Sequence, residues 1–92
     1  MRNSSNSGVK LEDLVIVLNR LGGKAHLSKI YKKIIEIKPN VVSVYKNESS
    51  YQASIRSLLE RHSSDSKMFQ EKADIFYLVE GYGKGIWGLR KP

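Results

Sequence analysis

Cysteine is absent from the 92 residues of this chain. Its absence excludes disulfide bonds and thiolate metal sites, and it fits the reducing conditions of the cytosol. Long hydrophobic runs are missing too, since no stretch approaches the roughly 20 apolar residues of a membrane-spanning helix. The N-terminal sequence MRNSSNSG lacks the hydrophobic region of a secretion signal. We therefore expect a cytoplasmic protein with no membrane partner.

Acidic residues are scarce. Nine Asp and Glu stand against 16 Lys and Arg, which gives a net charge of +7 and a pI near 9.8. The excess lies mainly in the first half of the chain, on Lys24, Lys29, Lys32, Lys33, Lys38 and Lys46. A basic balance favours a polyanionic partner, and double-stranded DNA is the first to consider, although anionic membranes and acidic proteins also satisfy it. The alternative without function is a solvated lysine-rich face.

Hydrophobic residues make up 40% of the chain, enough for one small globular domain. Periodicity and turn residues divide it into a flexible tail over residues 1–8 and a folded domain over residues 9–92. The predicted elements are a helix over 9–21, a short strand over 24–26, a helix over 27–37, an extended loop over 41–46, a helix over 49–61, a helical turn capped by Asp65, and strands over 75–80 and 86–90. The last two strands flank the loop GYGKG, which predicts a hairpin with a glycine-rich wing. This order predicts an α+β fold, a winged helix-turn-helix domain with three helices and a small antiparallel sheet.

The segment Ser49 to Arg61 has two unlike faces when its residues are placed about 100° apart around a helix. The apolar face carries Tyr51, Ile55, Leu58 and Leu59, and the opposite face carries Ser49, Ser50, Ala53, Arg56, Ser57 and Glu60. Small polar side chains around one arginine suit the major groove of DNA, where an arginine fork pairs with O6 and N7 of guanine or clamps phosphates. The alternative for Arg56 is a surface ion pair with Glu60.

The predicted DNA contacts extend beyond this arginine. On the same helix they are Ser49, Ser50, Gln52, Ala53, Arg56 and Ser57, of which Gln52 lies at the edge of the face and Ala53 leaves room for a methyl group. In the hairpin loop they are Tyr82 and Lys84, whose glycine neighbours let the backbone approach a phosphate or a minor groove. On the second helix they are Lys29 and Lys33. Trp87 is predicted to lie in the core rather than to stack on a base.

No residue pattern favours catalysis, a metal or a cofactor. His62 and Asp65 suggest an acid–base pair, but a histidine at a helix end beside a turn-forming aspartate is usually structural. Asp13 with the ExK of residues 36–38 matches the D…ExK pattern of many restriction nucleases. Both parts fall on helices rather than in a strand-built magnesium cleft, so we interpret the match as chance. The sequence therefore predicts a binding module that is not an enzyme and takes no metal, cofactor or small-molecule substrate.

Two known families resemble parts of the chain. The sequence YQASIR at residues 51–56, followed by GKGIWGL at residues 83–89, resembles the forkhead signature. In that family an aromatic-Gln-Asn-Ser-Ile-Arg-His helix reads DNA and a Gly-Lys-Gly…Trp-x-Leu wing follows. The forkhead Asn falls at Ala53 here, and the base-reading His falls at Ser57. The resemblance implies a recognition helix and a wing, while the forkhead sequence preference does not carry over.

A longer resemblance spans Leu14 to Arg90. The segments LGGKAHLSKIYKKI, SIRSLLERHSSDSKMF and DIFYLVEGYGKGIWGLR are similar to winged-helix modules of the HARE-HTH class, which accompany bacterial restriction-type and HNH endonucleases. Some winged helices in such nucleases sense N6-methyladenine. The resemblance implies the DNA-reading module of a modification-dependent restriction endonuclease whose nuclease domain lies on a longer parent chain. It makes adenine-methylated duplex DNA a candidate ligand. The alternative is a winged helix that binds a partner protein and no DNA, and we expect a monomer.

Overall fold

Three α-helices and a three-stranded antiparallel sheet form the part of the chain that the computed structural model describes, residues 8–70, 73–81 and 83–91. In chain order the elements are helix α1 (Leu11–Arg20), strand β1 (Lys24–His26), helix α2 (Leu27–Ile37), a 3₁₀ helix (Val41–Val44), helix α3 (Glu48–Arg61), and strands β2 (Phe76–Leu78) and β3 (Ile86–Leu89). The predicted α+β class, with three helices and a small antiparallel sheet, is confirmed. Apart from Gly8, the predicted flexible tail lies outside the described residues.

The sheet attaches the C-terminal hairpin to the helical part of the chain. Strand β3 lies in the centre and pairs antiparallel with β1 on one side and with β2 on the other. Trp87 in β3 is thereby flanked by Ala25 in β1 and Leu78 in β2. The N–H of Leu27, the first residue of α2, donates to the Gly85 carbonyl at 2.8 Å. The hairpin is therefore bonded directly to the N-terminal end of α2.

The helices and the sheet share a hydrophobic core. Its buried residues are Leu14, Val17 and Leu18 of α1, Ile30 and Ile34 of α2, Val41 of the 3₁₀ helix, Tyr51, Ile55 and Leu59 of α3, and Phe76, Trp87 and Leu89 of the sheet. Spacings of three and four residues place the helical members on one stripe of each helix, so each helix turns a single face inward. Trp87 is only 5% exposed, and its predicted place in the core is confirmed.

Residues 41–44, predicted as part of an extended loop, form the 3₁₀ helix instead. Val41 is buried in the core, and the N–H of Tyr45 donates to the Val42 carbonyl at 3.0 Å. The Ser43 hydroxyl reinforces the turn by donating to the Asn40 carbonyl at 2.7 Å. No strand that the structure describes pairs with these β-branched residues. Local hydrogen bonds therefore satisfy their backbone, and the extended prediction is wrong here.

The predicted helical turn capped by Asp65 is also wrong, because residues 64–68 form successive turns and bends. The Asp65 carboxylate accepts the N–H of Leu78 in β2 at 2.9 Å rather than capping a helix, and it lies 3.3 Å from the Arg90 guanidinium. The first hairpin strand is shorter than predicted and ends at Leu78. Glu80, two residues later, has a left-handed φ of 67°, which is incompatible with an extended strand.

A polar cluster anchors the loop between α3 and β2. The hydroxyl and the N–H of Ser64 donate to the Asp74 carboxylate at 2.7 and 2.9 Å, and Arg90 Nε donates to it at 2.9 Å. The Ser64 hydroxyl is the largest cause that keeps the pKa of Asp74 below its ordinary value, and the Ser64 N–H and the Arg90 charge act in the same direction. The cluster thereby fixes the base of the hairpin relative to the end of α3.

Candidate nucleic-acid interface

Helix α3 lies with its predicted apolar face in the core. The helix begins after Asn47, whose side-chain oxygen accepts the N–H of Ser50 at 2.9 Å and caps its first turn. Tyr51, Ile55 and Leu59 are fully buried, because a spacing of four residues keeps them on one side of the helix. The predicted orientation is confirmed, and it leaves the opposite face at the surface.

The face opposite the core carries the helical residues predicted to contact DNA. Its members, which we call the α3 surface, are Ser49, Ala53 and Arg56, which are exposed, and Ser50, Gln52, Ser57 and Glu60, which are half-buried. Most of these side chains are small, so Arg56 is the longest side chain on a smooth surface. The structure brings these residues together on one helix, and their contact with DNA stays a prediction.

Arg56 is positioned by a tyrosine from the neighbouring helix. Its Nη1 donates to the hydroxyl oxygen of Tyr31 in α2 at 3.1 Å. The alternative expectation, an ion pair with Glu60 one turn later, is not among the ion pairs within the described ranges. An arginine that precedes a glutamate by four residues is in the weaker order for a helical ion pair. Arg56 stays exposed, and its remaining N–H donors are available to a ligand.

Tyrosine hydroxyls contact α3 on both of its flanks. On one flank Tyr31 accepts from Arg56, and on the other the Tyr45 and Ser54 hydroxyl oxygens lie 3.0 Å apart. Ser54 and Arg56 are separated by two residues, which places them about 160° apart around the helix. Between the flanks, the Tyr51 hydroxyl donates to the Tyr31 carbonyl at 2.6 Å. These contacts on opposite sides oppose rotation of α3 about its own axis.

Burial keeps the central tyrosine in its neutral, donating form. Tyr51 is fully buried, and desolvation, with smaller contributions from Tyr45, Glu48 and Tyr31, raises the pKa of its hydroxyl above the ordinary value. The Tyr51 ring centroid lies 6.3 Å from that of Tyr31 and 5.9 Å from that of Tyr45. The three rings thus join α2, the 3₁₀ segment and α3 through one contiguous aromatic contact.

Sequence reasoning missed Tyr31 and Tyr45 as residues of the site. Tyr31 follows the buried Ile30 in α2 and is half-buried, with its hydroxyl at the surface. Tyr45 falls at the end of the segment predicted as an extended loop. A usable signal was present. A buried tyrosine hydroxyl requires a hydrogen-bond partner, whereas a phenylalanine at the same position requires none.

A cleft of about 270 Å³ separates α3 from the hairpin. Its lining residues are Leu27, Arg56, Glu60, Ser66, Leu78, Gly83, Gly85 and Trp87. Arg56 and Glu60 lie on the α3 side of the cleft, and two glycines expose backbone on the hairpin side. Gly83 and Gly85 have left-handed φ angles of 84° and 70°, which glycine adopts without strain. Lys84 between them is exposed, and the predicted contact Tyr82 lies outside the described residues.

Lys29 and Lys33 lie on the flank of α2 that faces away from α3. Each is two residues from Tyr31, so each side chain points about 160° away from the tyrosine that contacts Arg56. Lys33 Nζ forms an ion pair with Glu36 at 3.1 Å. A separate concave surface, which we call the lysine flank, consists of Leu21, Lys29, Lys32, Lys33 and Glu36. The structure therefore does not bring Lys29 and Lys33 beside the α3 surface, and DNA contact by them stays a prediction.

Two residues of the D…ExK pattern form an ion pair between helices. Asp13 is 7% exposed, and its carboxylate accepts from Lys38 Nζ and from the N–H of Lys10, both at 2.9 Å. Lys38 Nζ also donates to the Gly8 carbonyl at 3.1 Å. Glu36 is engaged separately in its ion pair on the lysine flank. These contacts pack the start of α1 against the end of α2.

His62 and Asp65 bond to different groups. His62 Nδ1 lies 3.2 Å from the Leu58 carbonyl, while the Asp65 carboxylate accepts from the N–H of Leu78. Within residues 8–70, 73–81 and 83–91, no three histidine or acidic side chains are grouped so that they could hold a metal ion. The helices of the same ranges are too short or too polar to span a membrane.

No protein-family model, curated protein or solved structure matches this chain. The functional interpretation therefore rests on the chemistry of the surface that α3 and the hairpin form.

Proposed function

We propose that the chain is a winged helix-turn-helix domain that binds double-stranded DNA. Helix α3 would enter the major groove, and the hairpin loop, residues 79–85, would act as the wing against the adjacent backbone or minor groove. The element order and the central position of β3 in the sheet support this arrangement. The major groove of B-DNA admits one α-helix, and the small side chains of the α3 surface allow a close approach to base edges.

The position of Arg56 carries the proposal. This arginine is exposed in the middle of the α3 surface, and the Tyr31 hydroxyl fixes one of its terminal nitrogens. A guanidinium fork that is already oriented loses little side-chain entropy when it pairs with O6 and N7 of guanine. Such a contact supplies sequence discrimination, which exposed lysines by themselves do not.

The charge of the chain supports the same partner. A net charge of +7 attracts the phosphate backbone, and neutralised phosphates release counterions, so binding should weaken steeply as salt rises. Lys84 is exposed beside the cleft between two glycines, where a phosphate could reach both its ammonium group and the backbone.

We further propose adenine-methylated duplexes as the first ligands to compare. The similarity to HARE-HTH modules motivates this choice, and the exposed Ala53 leaves space for a methyl group on the α3 surface. A library of duplexes tested before and after enzymatic adenine methylation measures the preference directly. Equal binding to both forms would show that the protein does not recognise adenine methylation.

Titration of labelled duplex DNA at about 50 and 200 mM salt tests the proposed partner. We expect binding at the lower concentration and a loss of affinity of at least tenfold at the higher one. If duplexes at low salt leave the protein unbound, the proposal is wrong, and the alternative of a protein-interaction domain takes its place.

Replacement of Arg56 by alanine tests the assigned surface. A randomised duplex library first identifies the preferred site of the wild-type protein. We expect Arg56→Ala to reduce discrimination for that site by about 1–3 kcal/mol, with the loss concentrated at a guanine. Arg20→Ala is the matched control, because Arg20 is an exposed arginine in the last turn of α1 and not part of the α3 surface. Equal effects of the two variants would show that Arg56 contributes charge alone.

A further inference from the structure

Glu60 places a carboxylate in the cleft where a simple phosphate-binding surface would have a cation. The side chain is half-buried and lines the cleft together with Arg56. Throughout the described part of the chain, it takes part in no hydrogen bond or ion pair with another side chain. Arg56, its natural partner one turn earlier, bonds to Tyr31 instead. The cleft therefore presents a guanidinium and an unpaired carboxylate as separate groups.

The chemistry of a carboxylate restricts what Glu60 can accept from DNA. An ionised carboxylate only accepts hydrogen bonds, so phosphate oxygens cannot satisfy it and instead repel it. In the major groove the hydrogen-bond donors are the exocyclic amino groups, N4 of cytosine and N6 of adenine. Leu27, Leu78 and Trp87 give the cleft an apolar lining, and a hydrogen bond made beside apolar surfaces is stronger than one made in bulk water.

The spacing along α3 is compatible with reading neighbouring bases. Glu60 follows Arg56 by four residues, about 6 Å along the helix axis. Successive base pairs of B-DNA are about 3.4 Å apart. A guanine paired with Arg56 would therefore leave Glu60 within reach of the same base pair or of one of the next two.

We propose that Glu60 is a specificity determinant, whose carboxylate accepts a hydrogen bond from the amino group of a cytosine or adenine beside the guanine bound by Arg56. The inference rests on the proposed DNA binding and adds the class of base that the cleft selects. A site without a correctly placed amino group leaves the carboxylate desolvated and unpaired, which disfavours binding. Glu60 thus lowers affinity for wrong sequences as well as raising it for the right one.

Selection from a randomised duplex library with wild-type protein and Glu60→Ala tests the proposal. We expect the wild type to enrich cytosine or adenine within two base pairs of the preferred guanine, and Glu60→Ala to lose that enrichment by about tenfold. Glu12→Ala is the matched control, because Glu12 is an exposed glutamate in the first turn of α1 and its replacement changes the net charge equally. Alanine is the strongest helix former, so both variants should keep their helices.

A base analogue distinguishes the two sources of the amino group. Purine in place of the selected adenine, or 2-pyrimidinone in place of the selected cytosine, removes only that group from the duplex. We expect the analogue to weaken wild-type binding by about tenfold and to leave Glu60→Ala binding unchanged. An equal loss in both proteins would show that Glu60 does not contact the amino group, and would overturn the proposal.

Two results separate this inference from the proposed function. If Arg56→Ala loses its guanine preference while Glu60→Ala keeps the wild-type base profile and merely binds every duplex more tightly, DNA binding stands and the role of Glu60 is refuted. If the wild-type protein binds no duplex at low salt, the proposed function itself fails, and the inference fails with it.

Discussion

The α3 surface and the lysine flank carry charge of the same sign in different ways. On the α3 surface one exposed arginine is oriented by the Tyr31 hydroxyl. On the lysine flank three lysines lie near one glutamate, and the ion pair between Lys33 and Glu36 joins neighbours on the same helix. Isolated surface ion pairs of that kind stabilise a structure by little. The α3 surface thus presents one arginine in a defined orientation, whereas the lysine flank presents several positive charges close together.

The difference shows why a count of basic residues is a poor guide to an interface. Counting places the positive excess in the first half of the chain, whereas Arg56, an exposed arginine oriented by a neighbouring hydroxyl, lies on α3 in the second half. Lysines add affinity that depends on salt and not on sequence, while an oriented arginine discriminates between bases. Substitutions of Tyr31, Lys84 and Lys29 test that division of roles.

Among the substitutions considered next, removal of the Tyr31 hydroxyl should have the largest effect. Tyr31→Phe keeps the ring but frees Arg56, and a hydrogen bond to a charged group contributes about 1.5–3 kcal/mol at most sites. We expect the guanine preference to fall by about 1 kcal/mol, because an unrestrained arginine can still reach the base at an entropic cost. Library selection with the double variant Tyr31→Phe/Arg56→Ala measures the coupling between the two residues.

Tyr77→Phe is the control for that experiment. Tyr77 is a half-buried tyrosine of β2, away from Arg56. If Tyr31→Phe and Tyr77→Phe both keep the wild-type base profile, the hydrogen bond to Arg56 has no part in recognition.

Single lysine replacements should separate the hairpin from the lysine flank. We expect Lys84→Ala to weaken binding to all sequences alike and to reduce the salt slope by about one. Lys29→Ala removes the same charge from the lysine flank, which faces away from α3, so the salt slope of this variant should change by less. Affinity measured for both variants at several salt concentrations checks this. A larger change for Lys29→Ala would place DNA across the lysine flank.

Acid should lower the stability of the folded protein through protonation of Asp74, and we expect this effect to be the smallest. A carboxyl group whose pKa is lowered by folding stabilises the folded state above its unfolded pKa, near 3.9, and the contribution is lost as pH falls through the folded value. The difference in Tm between the wild type and Asp74→Asn should therefore be present at neutral pH and vanish in strong acid. A difference that is independent of pH would assign the effect to packing.

Local sequence signals predicted most of the fold. The stripe of Ile30 and Ile34, with Pro39 beyond it, predicted a helix over 27–37, and α2 occupies those residues. The apolar spacing of Tyr51, Ile55 and Leu59 fixed which face of α3 is buried. These features depend on neighbours within one or two turns, and side-chain periodicity reports such neighbours directly.

Features that depend on distant parts of the chain were not predictable in the same way. The contact of Arg56 with Tyr31 joins residues on two helices, and its existence depends on how each helix is rotated relative to the other. The composition of residues 41–44 favours a strand, but no strand of the described residues lies beside them. Asp65 likewise bonds to β2 across the loop, a partner that no local pattern identifies.

The tyrosine contacts on both flanks of α3 have a consequence for association. The rotation of α3 about its own axis is already set in the free protein, so binding needs no induced fit of this helix. We therefore expect rigid-body docking. Little conformational entropy is then lost on binding, so a small buried area can still give a high affinity. The Tyr45 hydroxyl also accepts the N–H of Val9, so the same tyrosine links the segment just before α1 to α3, the helix that we propose faces the DNA.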